Sequence, residues 1–159
     1  IKATSSGPII HWSKRVGENN KFFFMPKFRS MYVFSPNVAT HLISNPDQYL
    51  TKIGSFLRKY SLDELPQLFT VLCGTMSIVG PRPALYNQFD LIDLRTKERI
   101  NELKTGITGW AQIHGRDNIS IYLKVKHDKY YLENKSIFLD LLIIFRSISK
   151  VIKKESISH

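Results

Sequence analysis

The chain has 159 residues, of which 43% are hydrophobic and 23% are charged, and it carries a net charge of +10. This length and composition predict one domain with a hydrophobic core, spanning residues 1–159. A single cysteine excludes a disulfide framework and a cysteine-based zinc site, and no apolar run approaches the roughly 20 residues of a membrane-spanning helix.

The first part of the chain has the pattern of extended structure. Gly7 and Pro8 predict a turn that leads into a strand over residues 9–13. A strand or hairpin is expected over residues 22–34, with Asn19 and Asn20 at the turn, and a variable loop over residues 36–46.

A short helix is predicted next, because Leu65, Leu68, Phe69 and Leu72 recur at i, i+3, i+4 and i+7. This spacing indicates one buried helical face, ended by Gly74. Cys73 lies on the same apolar segment, and we expect it in the core.

The start of this helix can be placed in two ways. Ser61 and Glu64 form a capping box, but Pro66 would then fall at the fifth helical position and remove a backbone hydrogen bond. With Asp63 as the cap, Pro66 falls at the third position, where no internal donor is needed. We favour the later start.

Three further helices complete the prediction. Two are expected over residues 87–103 and 119–132, and a third covers the apolar and then basic segment 137–154. That last pattern fits a helix lying at a lipid headgroup boundary and equally a core helix with a solvated tail. The predicted fold class is therefore α+β, mostly helical, with a small β-hairpin or sheet.

The adjacent carboxylates Asp63 and Glu64 have two interpretations. Acidic residues in a first turn commonly cap a helix and complement its positive end. They also suit phosphoryl chemistry if Mg²⁺ and arginines neutralise the phosphate oxygens, and Arg58 and Arg82 could supply that charge. Flanking prolines, Pro81 and Pro83, restrict the backbone around Arg82 and so aim its guanidinium.

At these residues the sequence resembles the bacterial monotopic phosphoglycosyl transferases, the sugar transferases that begin surface glycan assembly on undecaprenyl phosphate. The resemblance covers nearly the whole chain and consists of several motifs in order. They are Ser6-Gly7-Pro8 with Lys14-Arg15-Val16-Gly17, Lys27-Phe28-Arg29-Ser30-Met31, Ser61-Leu62-Asp63-Glu64-Leu65-Pro66-Gln67-Leu68, Gly80-Pro81-Arg82-Pro83, Gly106-Ile107-Thr108-Gly109 with Gly115-Arg116, and Asp128 with Tyr131.

The resemblance implies a transferase that moves a sugar-1-phosphate from a UDP-sugar to polyprenyl phosphate and releases UMP. Asp63 would attack the sugar-side phosphorus, and Glu64, with Asp63, would hold Mg²⁺. A direct transfer, with both carboxylates acting only as metal ligands, remains the alternative mechanism. The residues expected at phosphate oxygens or lining the site are Arg58, Arg82, Lys27, Arg29, Arg116 and Asp128.

The resemblance also implies a location at the bacterial cytoplasmic membrane, with the catalytic domain on the cytoplasmic face and membrane lipids as partners. In the family a re-entrant helix lies just upstream, so residues 1–8 are expected to be the end of a membrane-embedded segment. Because the chain begins at Ile1, we expect that helix to be missing from it.

A different class of function is a non-catalytic basic module that binds membranes or nucleic acid. Residues 1–60 carry nine Lys and Arg against two acidic residues, a net +7, which favours an anionic partner. A binding module does not explain the Asp-Glu pair within ordered motifs, and the aromatic residues form no nucleic-acid signature. We therefore expect no nucleic acid as a functional partner.

Overall fold

The computed structural model describes residues 1–36, 45–115 and 119–153. Two antiparallel strands, β1 (Ile10–Val16) and β2 (Phe22–Phe28), form a hairpin in which Ser13 pairs with Met25. Asn19 and Asn20 both adopt positive φ in the connecting turn, a conformation that asparagine tolerates well. The hairpin and its turn are confirmed, with β1 longer than predicted and β2 ending at Phe28.

Two small sheets are present in the described residues. β4 (Ala84–Leu85) joins the free edge of β1, which gives the order β2-β1-β4. β3 (Ser77–Val79) pairs in parallel with β5 (Gly106–Thr108). Because about half of the chain is helical and the sheets are small, the α+β fold class is confirmed.

Six α-helices surround these sheets in the described part of the chain. The predicted helix over residues 87–103 is interrupted at Arg99, which has a φ of 58°, and ends in a 3-10 turn. The helices are α1 (Lys52–Lys59), α2 (Gln67–Leu72), α3 (Phe89–Lys97), α4 (Trp110–Ile113), α5 (Ile121–Asn134) and α6 (Ile137–Lys153). Most of the predicted loop over residues 36–46, and Lys154, lie outside the described residues.

The core formed by the described residues has two apolar clusters that share α5. One cluster packs Val125 of α5 with buried residues of β1, β4 and α3, and the other packs Tyr131 of α5 with Val79 of β3 and Ile143 of α6. Since one helix contributes to both clusters, the two sheets are tied into a single domain.

The predicted start of α2 is wrong. Residues Leu62–Glu64 form a separate 3-10 turn, and Ser61, with a φ of 52°, makes no side-chain cap. Pro66 is the N-cap of α2, so the helix begins at Gln67, where the proline ring costs no internal hydrogen bond. The predicted end is confirmed, because Gly74 has a φ of 75° just beyond the C-cap.

The predicted burial of α2 is also wrong. Leu68 is 47% exposed and Leu72 is 82% exposed, and Cys73 is exposed rather than in the core. Periodicity correctly places the apolar residues on one helical face, but no described element covers that face.

Helix α6 combines two apolar faces. Ile143 is fully buried against the second core cluster, whereas Phe138, Leu141, Phe145, Ile148 and Ile152 form an exposed stripe. The buried face confirms the core-helix alternative for part of the helix, and the headgroup-boundary alternative stays a prediction for the exposed stripe. Among residues 1–36, 45–115 and 119–153, no helix has the length and apolar character needed to cross a bilayer.

Candidate functional site

The two carboxylates lie together in the short turn between α1 and α2. Ser61, which follows the C-cap of α1, has a left-handed conformation and turns the chain away from the helix. The backbone N–H of Glu64 then donates to the Ser61 carbonyl at 3.2 Å. Asp63 and Glu64 are both buried in this turn. Buried carboxylates need partners, because water does not solvate their charge there.

Glu64 receives two cations on the same oxygen. The Lys27 ammonium donates to Glu64 Oε1 at 3.0 Å, and the Arg82 guanidinium donates to it at 2.7 Å. Burial lowers the pKa of Lys27 to about 8, even though the charges of Glu64 and Asp63 raise it. The structure thus brings Asp63, Glu64, Lys27 and Arg82 together, as the sequence predicted.

The loop that carries Arg82 is fixed through its backbone. Three consecutive carbonyl oxygens each accept a hydrogen bond: Pro81 from Gly106 N–H at 2.9 Å, Arg82 from Arg95 at 2.8 Å and Pro83 from Arg15 at 3.2 Å. The prolines alone restrict torsion angles, whereas these three contacts hold the loop in place and so orient the guanidinium.

Glycines allow the backbone to approach closely beneath this loop. A Cβ at Gly80 would lie 2.3 Å from the Lys104 carbonyl oxygen, and one at Gly109 would lie 2.1 Å from the Gly80 carbonyl oxygen. Only glycine fits such positions. The contact between β3 and β5 that supports Pro81 therefore depends on these residues.

Asp128 does not line the site but binds Arg95, which in turn holds the backbone of Arg82. It is 1% exposed, and both Nε and Nη2 of Arg95 donate to its Oδ2, at 3.0 and 2.6 Å. Burial raises the pKa of Asp128, while Arg95 opposes that shift. A carboxylate with so little surface cannot meet a substrate, so its predicted lining role is corrected to one exerted through Arg95.

Two arginines that the sequence did not predict, Arg95 and Arg15, also support the site. Arg95 joins Asp128 to the Arg82 backbone, and Arg15 holds the Pro83 carbonyl. Arg15 lies in one of the quoted motifs, which is a signal that could have found it, whereas Arg95 lies in no motif.

The remaining predicted cations are placed differently. The Arg29 guanidinium donates to the carbonyls of Pro8 and Ser5, at 2.7 and 3.2 Å, so it anchors the N-terminal segment. Arg58 lies in the last turn of α1, just before the Asp-Glu turn, and donates to Ser30 Oγ at 3.0 Å. Arg116 lies outside the described residues.

Asp63 and Glu64 fit Mg²⁺ if a substrate supplies the remaining ligands. Within residues 1–36, 45–115 and 119–153, no group of three or more His, Cys, Asp and Glu side chains could hold a metal ion. Mg²⁺ commonly uses one or two carboxylates and takes its remaining ligands from phosphates and water. Asp63 and Glu64 therefore suit a magnesium ion that arrives with a phosphate-bearing substrate.

Comparisons with known proteins assign the family. Residues 1–154 match the model of the family described as bacterial sugar transferase. The chain is 40% identical, over 96% of its length, to the UDP-N-acetylgalactosamine-undecaprenyl-phosphate N-acetylgalactosaminephosphotransferase of Aeromonas hydrophila, of which it spans 37%. It is 35% identical, over 94% of its length, to the undecaprenyl-phosphate galactose phosphotransferase of Salmonella typhimurium, of which it spans 34%.

A shorter relative is covered more completely. The chain is 41% identical to an uncharacterised sugar transferase of Bacillus subtilis, with 100% of the chain and 77% of the relative aligned. The match to the family model extends over nearly the whole chain and includes every motif on which the resemblance rests. The chain therefore belongs to the bacterial sugar transferase family, a family of transferase enzymes.

Proposed function

We propose that the chain transfers a sugar-1-phosphate from a UDP-sugar to polyprenyl phosphate, of the undecaprenyl type, and releases UMP. The observation that carries this proposal is the buried Asp63-Glu64 turn with Lys27 and Arg82 on one Glu64 oxygen. The names of two relatives, both undecaprenyl-phosphate sugar phosphotransferases, support the acceptor. The product would start a surface glycan such as a capsule, exopolysaccharide, O-antigen or glycoprotein glycan.

The proposed chemistry has two balanced steps. A carboxylate oxygen of Asp63 attacks the sugar-side phosphorus of the UDP-sugar, and the bond from that phosphorus to the bridging oxygen breaks as UMP leaves with the electron pair. A phosphate oxygen of the acceptor then attacks the same phosphorus. The bond to Asp63 breaks, which restores the carboxylate and yields polyprenyl-diphosphate sugar.

The other residues of the site neutralise charge. Arg82 offers a rigid guanidinium and Lys27 an ammonium beside the carboxylates, which suits a diphosphate whose negative charge otherwise repels Asp63. Glu64 holds both cations and, with Asp63, would hold Mg²⁺. The magnesium ion would supply further neutralisation of the phosphate oxygens.

The exposed apolar stripe of α6 supports a position at the membrane surface. The five large apolar side chains of this stripe face solvent, and Lys150 and Lys153 lie in the last turn of the helix. An amphipathic helix with apolar and cationic parts suits the boundary of an anionic bilayer. We place the domain on the cytoplasmic face of the bacterial inner membrane, where a soluble nucleotide sugar meets a lipid phosphate.

The test of this function is UMP release from a panel of UDP-sugars with polyprenyl phosphate and Mg²⁺. We expect release with at least one sugar, together with a lipid-linked product, and loss of both after EDTA treatment. Absence of lipid-linked product with every sugar would overturn the proposal.

The same assay without lipid separates the two mechanisms. A covalent intermediate predicts a burst of UMP equal to the enzyme present and a sugar-phosphate mass on the peptide that contains Asp63. Direct transfer predicts neither, because the nucleotide would leave only when the lipid attacks.

A further inference from the structure

A cavity of about 200 Å³ adjoins the carboxylate site. Glu64 and Arg82 both line it, so a molecule inside it lies next to the groups proposed to handle phosphates. Its other walls come from α2, β5, α4 and α6. The chemistry of these walls determines which part of a substrate fits.

Two of the three hydroxyl groups in the wall, those of Thr108 and Ser147, are engaged within the protein, and the third belongs to Ser61 in the carboxylate turn. Ser147 donates its hydroxyl to the Ile143 carbonyl at 2.7 Å. The 2.5 Å contact between Thr108 Oγ1 and Ser147 Oγ must then have Thr108 as its donor, because a hydroxyl has one proton. Neither hydroxyl retains a proton for a ligand.

The wall amide is similarly unsuited to a polar ligand. Gln112 Nε2 points to the Ile107 carbonyl at 3.5 Å, and Gln112 Oε1 is buried, so it has no surface for contact. A sugar or a nucleobase placed beside Thr108, Ser147 and Gln112 would lose hydrogen bonds to water and find few donors to replace them. The polar part of a substrate is therefore disfavoured in this part of the cavity.

Apolar side chains form the remainder of the wall and continue to the outer surface. Ile107, Ile113 and Val151 line the interior, while Leu65 and Leu68, each about half exposed, line the cavity and also face outward. An apolar chain could therefore pass from the surface between α2 and α6 to Glu64 and Arg82 along these apolar side chains, with Lys150 as a cation in the same wall.

We propose that this cavity binds the phosphate-proximal isoprene end of the polyprenyl phosphate acceptor, with its phosphate at Arg82. The inference rests on the function proposed above. An engineered apolar cavity of roughly 150 Å³ takes up benzene, so a cavity of about 200 Å³ accommodates a five-carbon unit. Lys150, which lines the cavity and makes no ion pair with any residue that the structure describes, complements the acceptor's charge.

Binding of a water-soluble, ten-carbon prenyl phosphate tests the cavity directly by isothermal titration calorimetry. Leu68→Gln places an amide in the wall, and we expect it to raise the Kd about tenfold while the Kd for inorganic phosphate stays unchanged. Leu72→Gln is the matched control, since it lies one turn further on α2, is 82% exposed and does not line the cavity. We expect its prenyl phosphate Kd to stay within about twofold of wild type.

A second pair tests the charge. Lys150→Gln should raise the Kd of the prenyl phosphate. Lys153→Gln should raise it less, because Lys153 does not line the cavity. Equal Kd values for Leu68→Gln and Leu72→Gln would overturn the proposal, as would a wild-type protein that does not bind the prenyl phosphate. A rise in the KM for UDP-sugar in Leu68→Gln, with acceptor binding intact, would assign the cavity to the donor.

Failure of the proposed function gives a different result. If no UDP-sugar supports product formation, the transfer reaction is overturned. The calorimetric comparison still decides whether the cavity binds an isoprenoid phosphate, because it requires no turnover.

Discussion

Glu64 is a buried carboxylate whose negative charge is balanced by two cations, and the same cations are available to a substrate phosphate. Its Oε1 accepts from both Lys27 and Arg82, so the buried negative charge is balanced before any substrate arrives. A diphosphate that enters must share these cations with Glu64. The neighbouring Asp63 is thereby placed in a field that attracts its proposed target.

Asp63→Asn tests the proposed nucleophile. The amide keeps the shape of the side chain but cannot attack phosphorus, so we expect kcat for UMP release to fall at least about 10³-fold. Far-UV circular dichroism should match wild type. Near-normal UMP release by the folded variant would return the Asp-Glu pair to a structural, capping role.

Lys27 predicts a specific dependence on pH. Burial lowers its pKa to about 8, so the free enzyme loses this cation as the pH rises through that value. If the ammonium attracts the diphosphate, kcat/KM should fall on the alkaline side near pH 8. Lys27→Arg should remove that decline, because a guanidinium stays charged there. The measurement is kcat/KM for the UDP-sugar between pH 6 and pH 10, and an unchanged decline in Lys27→Arg would assign the titration to another group.

The elements differ in how far the sequence could predict them. The hairpin, its Asn19-Asn20 turn and the stop at Gly74 were predicted because each depends on neighbouring residues. The link from Asp128 to Arg95 joins residues 33 apart, and no local pattern signals it. For the same reason periodicity identified the apolar face of α2 but not its exposure, which depends on whether another element covers it.

The buried ion pair between Arg95 of α3 and Asp128 of α5 should contribute strongly to the free energy of unfolding. In Asp128→Ala the buried Arg95 loses both bonds to the carboxylate, and leaving a buried charge unpaired costs about 3–5 kcal/mol of the free energy of unfolding. Urea unfolding measures this loss. Glu102→Ala is the control, because its pair with Arg99 is exposed and should contribute little. Equal effects of the two variants would contradict a special role for the buried pair.

The whole molecule presents several features suited to the boundary between water and an anionic membrane. Residues 1–60 carry a net +7, nine basic residues minus two acidic ones, and the other 99 residues carry the remaining +3. The α6 stripe adds exposed apolar surface, and the cavity lies between α6 and the carboxylate turn. Charge can bring the domain to the bilayer, and apolar contact can then hold it there.

Co-sedimentation with vesicles of phosphatidylethanolamine and phosphatidylglycerol separates these two contributions. Raising the salt from about 0.1 to 1 M shortens the Debye length from about 10 to 3 Å, so the bound fraction of wild type should fall but not vanish. Phe145→Gln should lower binding at both salt concentrations without lowering the free energy of unfolding, because Phe145 is 70% exposed. Tyr122→Gln removes a similarly exposed aromatic ring from α5 and serves as the control, with binding expected to match wild type. If Phe145→Gln and Tyr122→Gln bind equally, the α6 stripe does not contact the bilayer and the attraction is electrostatic alone.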